Sequence, residues 1–161
     1  MKVNYFDLGF SLDCAELDEI IVNIFPSLNI ENYTCYAFDA CREYSVDATK
    51  KYLNDDRVNI LNYAISEKDG IETLYHHFNK VGHSIFKSKT GVYEDKYETV
   101  ESIVFSEWVE KNVPDFKESF NIMKVNIEGA EWHLFRDMEK NDMIKHFDIF
   151  CGAGHDVEKI G

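Results

Sequence analysis

Asp7, Asp39, Asn126 and Glu128 each stand at the end of a short apolar run, and this placement is the chain's main sign of chemistry. The runs are "VNYFD", "YTCYAFD" and "IMKVNIEG". Where such runs are parallel strands, ligands lie outside their carboxyl ends. Gly9, just past Asp7, lets the backbone turn tightly and approach a ligand. Asp39 is suited to hydrogen bonds from both hydroxyls of a ribose, and equally to capping the helix that "CREYS" begins. Glu128 can take a proton from a hydroxyl, or it can stabilise the positive end of the helix after it. Asn126 can orient a hydroxyl but cannot take its proton. His155 and His83 are the other groups that could act as a base near neutral pH.

The stretch "FDLGFSLDCAELDE" places Asp13, Glu16, Asp18 and Glu19 at the start of a helix, with no Lys or Arg beside them. Each favours the helix dipole by about 0.3–1 kcal/mol, and together they repel a phosphate. The expected ligand is therefore not phosphorylated at this point. S-adenosylmethionine meets that condition, because its adenosine carries a cationic sulfonium and an ammonium. His76 and His77, with His83 and His133, invite a metal reading. Adjacent strand residues point to opposite faces, so no metal site is expected.

The elements that must position these residues alternate in type. Leu17, Ile20, Ile21, Ile24, Phe25 and Leu28 follow the spacing of one helical face, with Asp13 and Glu16 as a capping box and Pro26 as a stop or kink. "YTCYAFDA" is a strand, and "REYSVDATKKYLNDD" a helix with Val46, Ala48, Tyr52 and Leu53 inward. "VNILNYAIS" is a third strand. "IETLYHHF" and "YETVESIVF" read as further strands around the loop "NKVGHSIFKSKTGV", and "SEWVEKNV" as a short helix stopped by Pro114. "FNIMKVNIEGAEW" gives a late strand. A helix with Leu134, Phe135, Met138 and Ile144 inward follows, then a last strand, "FDIFCGAG". Trp132 and Phe135 read as core or as part of an acceptor wall. This order predicts an α/β fold, doubly wound around a mostly parallel sheet.

With 161 residues, the chain has the length of one domain. Its net charge of −13 excludes general nucleic-acid binding, which needs clustered Lys and Arg. No apolar run spans a bilayer, and the N-terminus has no signal-peptide pattern, so neither membrane contact nor export is expected. Cys14, Cys35, Cys41 and Cys151 include no C-x-x-C pair and sit in or beside apolar elements, which fits reduced, mostly structural thiols in a cytoplasm.

The ordered set "FDLG", "YAFDA", "NYAISEKDG", "GHS", "YETVES" and "IMKVNIEGAEWHLF" resembles the FkbM family of S-adenosylmethionine-dependent methyltransferases over residues 4 to 155. Its most specific piece, "KVNIEGAE", is similar to a K-x-D-x-E-G-x-E signature. The resemblance implies a class I methyltransferase fold, Rossmann-like, and transfer of a methyl group to the hydroxyl of a sugar or other small molecule. It implies that Asp7, Gly9 and Ser11 line the methionine part, that Asp39 holds the ribose, and that Ala64 and Ile65 lie against adenine. Gly82, His83 and Ser84 would face the acceptor, and Lys124, Glu128, Gly129 and Glu131 match the late signature. There are three departures. Asp13 replaces a loop glycine, Asn126 replaces the signature aspartate, and the chain ends at Gly161 before a closing antiparallel hairpin, as expected of a truncated or minimal domain. Asn126 leaves Glu128, His155 or His83 as the base. Two alternatives remain open: a methyltransferase-like binding protein without activity, and an NAD-linked oxidoreductase.

Overall fold

The computed structural model of the chain describes residues 1–152. Along the chain, β1 (Val3–Leu8) leads to α1 (Ala15–Asp18), a π-helical stretch over Glu19–Ile24 and α2 (Phe25–Ser27). Next come β2 (Tyr33–Phe38), α3 (Arg42–Lys51), β3 (Val58–Leu61), β4 (Ala64–Ile65), β5 (Gly70–His77) and β6 (Val92–Ile103). The series ends with α4 (Phe105–Asn112), β7 (Phe120–Val125), α5 (Glu131–Lys140) and β8 (Ile149–Gly152). Among these residues no helix is long and apolar enough to cross a membrane.

Five strands form one sheet in the order β3-β2-β1-β7-β8, and every pairing in it is parallel. The chain builds outward from β1 to β3, then returns to the other side of β1 with β7. The switch point therefore lies between β1 and β7. Central β1 is buried along its whole length, which explains why its apolar residues fall on both faces rather than alternating with exposed polar ones. Alternate residues feed two cores. Tyr5 packs with Leu17, Phe25, Cys35 and Ala48 on one face, and Phe6 with Phe105, Val109, Met123 and Leu134 on the other. The two polar residues of β1 each meet a polar register partner on β7. Asn4 donates to Asn121 at 3.1 Å, and Asp7 lies opposite Lys124. A smaller three-stranded sheet, β4-β6-β5, pairs β5 and β6 antiparallel.

The helices depart from expectation at their faces. After Ala15, only Leu17, Ile21 and Phe25 are buried, while Ile24 and Leu28 are exposed. The widened π turn shifts the register ahead of Pro26, which cannot donate to a preceding carbonyl. The capping box does not form: Cys14, not Asp13, is the cap residue, and Asp13 instead accepts the Ala15 amide at 3.2 Å. On α3 the buried face is Tyr44, Ser45 and Ala48, so Val46 and Leu53 are exposed, contrary to the pattern read from sequence. On α5, Leu134 and Met138 fill the core contact. Trp132, Phe135 and Ile144 are left exposed, and the Arg136 guanidinium stands 5.8 Å from the Trp132 ring.

All four cysteines are free thiols, with Cys14, Cys35 and Cys41 buried and Cys151 exposed. The acidic helix start is not uncompensated, because lysines distant in sequence reach it. Lys51 pairs with Asp18 and donates to the Asp13 carbonyl at 3.1 Å, and Lys124 lies 2.7 Å from Glu16.

Candidate functional site

A cavity of about 220 Å³ opens at the carboxyl ends of β1, β2 and β7. Gly9 and Asn126 form its floor at the switch point, Phe38, Ala64, Ile65 and Leu74 give an apolar wall, and Asp39 adds a carboxylate. Gly9 adopts a φ of 88°, and a Cβ there would stand 1.9 Å from the Asn126 carbonyl oxygen. Only glycine permits the β1 and β7 loops to touch in this way.

Asp39 Oδ2 accepts the Ser11 amide at 3.1 Å, and Oδ1 accepts the Cys41 amide at 2.8 Å. Asp39 does not cap α3, whose cap residue is Cys41; it closes the turn just before the helix, and each of its oxygens keeps a second lone pair for the cavity. Burial pushes this carboxyl up to about 6, against the stabilising pull of the two amides. Ser11, at φ 65°, lines the cavity beside it.

Asp7 is completely buried and is not part of the cavity wall. Among the described residues neither of its oxygens finds a hydrogen-bond donor in good geometry, and its counter-charge is the Lys124 ammonium 3.1 Å from Oδ1. Burial pushes the Asp7 carboxyl up to about 6, with Lys124 opposing. Lys124 also donates to the Gly9 carbonyl at 2.6 Å; burial pulls its ammonium down, but Asp7 and Glu16 outweigh that and hold it above its ordinary value.

The segment between β5 and β6 covers the cavity with Val81, Gly82, His83, Ser84 and Ile85. His83 is fixed on both nitrogens. Its Nδ1 accepts the His77 amide at 2.8 Å, so the ring proton sits on Nε2, which lies 2.7 Å from the Tyr44 hydroxyl. That hydroxyl in turn donates to the Lys80 carbonyl. The Tyr44 and His83 rings stack at 5.3 Å. Burial, then the neighbouring His76, His77 and Lys89, hold the imidazole down to about 4. We expect the NMR signals of His83 to report a neutral Nε2–H ring from pH 8 to pH 5. A ring that takes up a proton near pH 6 would show that this network does not form.

Ser84 is buried, donates to the Glu128 carbonyl at 2.8 Å and accepts the Phe86 amide at 3.1 Å, so it ties the covering segment to the β7 loop. Glu128 has a φ of 58° and lines the cavity. One of its oxygens pairs with Lys89, a buried lysine that also donates to the Gly82 carbonyl at 2.9 Å. Glu131 is a loop staple: its two oxygens accept the Ile127 amide at 2.9 Å and the Gly129 amide at 2.7 Å. His155 lies outside the described residues.

The structure therefore brings Gly9, Ser11, Asp39, Ala64, Ile65, His83, Ser84, Asn126 and Glu128 to one cavity and keeps Asp7 beneath it. The sequence reading missed Tyr44, which lines the cavity, and Lys89, which is not in its lining but holds the wall residues Glu128 and Gly82. Lys89 sits in a polar loop where a lysine looks solvated, and nothing local marks it as buried. His76, His77 and His83 are neighbours, with the His76 and His83 rings 4.7 Å apart, but they turn to different partners: His76 lies 3.6 Å from Glu98, His77 stacks on Phe78 and His83 meets Tyr44. Among the described residues, no three His, Cys, Asp or Glu side chains converge as metal ligands would. Comparison with protein-family models, with curated proteins and with solved structures finds no match for the chain.

Proposed function

We propose that the chain is a class I methyltransferase of the FkbM type that binds S-adenosylmethionine in this cavity and methylates a hydroxyl of a small molecule or glycan. The observation that carries this reading is Asp39, whose carboxylate stands at the end of β2 beside an apolar wall at the switch point. A carboxylate there suits a ribose diol, and the wall of Phe38, Ala64 and Ile65 suits a purine. NAD fits less well, because the cavity wall carries Asp39 and Glu128 and, among the described residues, no Lys or Arg to meet a pyrophosphate.

Held by Asp39 and the wall of Phe38, Ala64 and Ile65, S-adenosylmethionine would supply an activated methyl group on its sulfonium for an acceptor oxygen to take, with the thioether as the leaving group. The hydroxyl proton leaves to a base or to water. Alignment is the larger demand, since the donor is already activated. Glu128 is the carboxylate on the wall able to receive the proton. His83 would have to give up the His77 amide to do so, because Nδ1 carries its one lone pair.

The commitment of His83 and the pairing of Glu128 with Lys89 favour a second reading, in which the nucleoside binds but no transfer follows. Calorimetric titration with S-adenosylmethionine and its demethylated product tests the shared part: binding is expected, and no heat with either ligand sinks both readings. Donor binding with no methylation of any hydroxyl acceptor leaves the second. Asp39→Ala should weaken donor binding by about 1–3 kcal/mol, roughly 5- to 150-fold. An unchanged Kd in a folded variant would remove Asp39 from the site.

A further inference from the structure

We propose that the cavity recognises its ligand through the nucleoside alone and leaves the aminoacyl end of a donor such as S-adenosylmethionine in solvent. This rests on the nucleoside reading above and concerns which half of the ligand that site holds. An aminoacyl end brings an ammonium and a carboxylate, and each needs a partner if it is to leave water.

The partner for an ammonium would be a carboxylate or carbonyl at the β1 loop. There the protein supplies its own cation. Lys124 lies opposite Asp7 in the β1–β7 register, 3.1 Å from the Asp7 carboxylate, 2.6 Å from the Gly9 carbonyl and 2.7 Å from Glu16. It thus occupies the carboxylate and the neighbouring carbonyl together. Asp7 is 0% exposed, so a ligand would have to displace a buried lysine to reach it. Glu128, the other carboxylate on this side of the cavity, already has Lys89 as its counter-ion.

The ligand's carboxylate fares no better. No Lys or Arg among the described residues lines the cavity, and the Ser11 amide is spent on Asp39. The nucleoside half, in contrast, has Asp39 for the ribose and an apolar wall for the base. The chemical class this selects is a 5′-thioadenosine, whatever chain the sulfur bears.

The test is calorimetry on the whole chain with S-adenosylhomocysteine and with 5′-methylthioadenosine, which lacks the aminoacyl end. The two Kd values should agree within about fivefold, and Asp7→Asn should leave their ratio unchanged. The ratio is insensitive to a general loss of stability, and the wild-type comparison stands even where the variant does not fold. S-adenosylhomocysteine binding more than about fivefold tighter, or a ratio that collapses in Asp7→Asn, overturns the inference while leaving the methyltransferase reading intact. If neither ligand binds, both fall.

Discussion

Gly9→Ala should destabilise the protein by at least about 3 kcal/mol and abolish nucleoside binding. Two costs combine. A non-glycine residue at φ 88° is strained by about 1–2 kcal/mol, and the added Cβ would lie 1.9 Å from the Asn126 carbonyl oxygen and 2.8 Å from its carbon. Both of those atoms are backbone, so no side chain can swing aside. The β1 and β7 loops must part, and they are the floor of the cavity. Gly70→Ala separates the two costs, because Gly70 also has a positive φ, 152°, but nothing stands within 4 Å of the new carbon. Urea unfolding should show a clearly smaller loss for Gly70→Ala. Equal losses in the two variants would mean that the Gly9–Asn126 approach contributes nothing of its own.

The features legible in the sequence are those that one stretch of chain carries alone. β1, β2 and β7 carry apolar residues on both faces, and that run-length pattern marks them as interior parallel strands wherever they pair. Their ends are legible for the same reason, so Gly9, Asp39, Asn126 and Glu128 could be placed at one edge of the sheet before their contacts were known. The helix faces were legible only where the helix is regular. Leu17, Ile21 and Phe25 keep the four-residue step, while Ile24 and Leu28 lose it through the π turn. On α5 the helical spacing admits Phe135 to the inward set, and only packing reveals that Leu134 and Met138 suffice.

The charge pattern was illegible because its partners are far apart in the chain. Asp13, Glu16, Asp18 and Glu19 have no cation beside them in sequence, yet Lys51 reaches Asp18 across 33 positions. Lys89 reaches Glu128 across 39, from a loop with no periodic pattern to place it. The repulsion of phosphate therefore rests on the cavity wall, where Asp39 and Glu128 face inward, more than on the acidic helix start. Asp39 shows a related limit. Cap and ribose ligand compete for Asp39 in the sequence, but the cap position falls to Cys41, and Asp39 stands in the turn before it, where its two oxygens hold two amides and can still accept from a ligand.

Lys124→Met should cost about 3–5 kcal/mol at pH 7 to 8, with a deficit that shrinks on acidification. The variant leaves the Asp7 carboxylate fully buried without a counter-charge. Even beside Lys124, burial raises this carboxyl to about 6 from an ordinary 3.8. A group whose pKa is raised by folding contributes stability at low pH and loses it as the pH climbs through the folded value. For the wild-type protein that window runs from about pH 4 to pH 6, and two pKa units correspond to roughly 3 kcal/mol. Without Lys124 the folded pKa of Asp7 rises further, so the window extends above pH 6 and the variant falls progressively behind the wild type. Below about pH 5, Asp7 is mostly protonated in both folded proteins, and a neutral carboxyl has little need of an ammonium. Asp39 titrates in the same range and is also held down by Lys124, so losing the lysine moves it in the same direction as Asp7 and adds to the trend. The double variant Asp7→Asn, Lys124→Met should recover much of the loss at pH 7. Denaturant unfolding from pH 5 to pH 8 measures all three proteins. A deficit that stays constant over that range would mean that Lys124 acts through Glu16 instead, a carboxylate 67% exposed whose pairing is worth no more than about 1 kcal/mol.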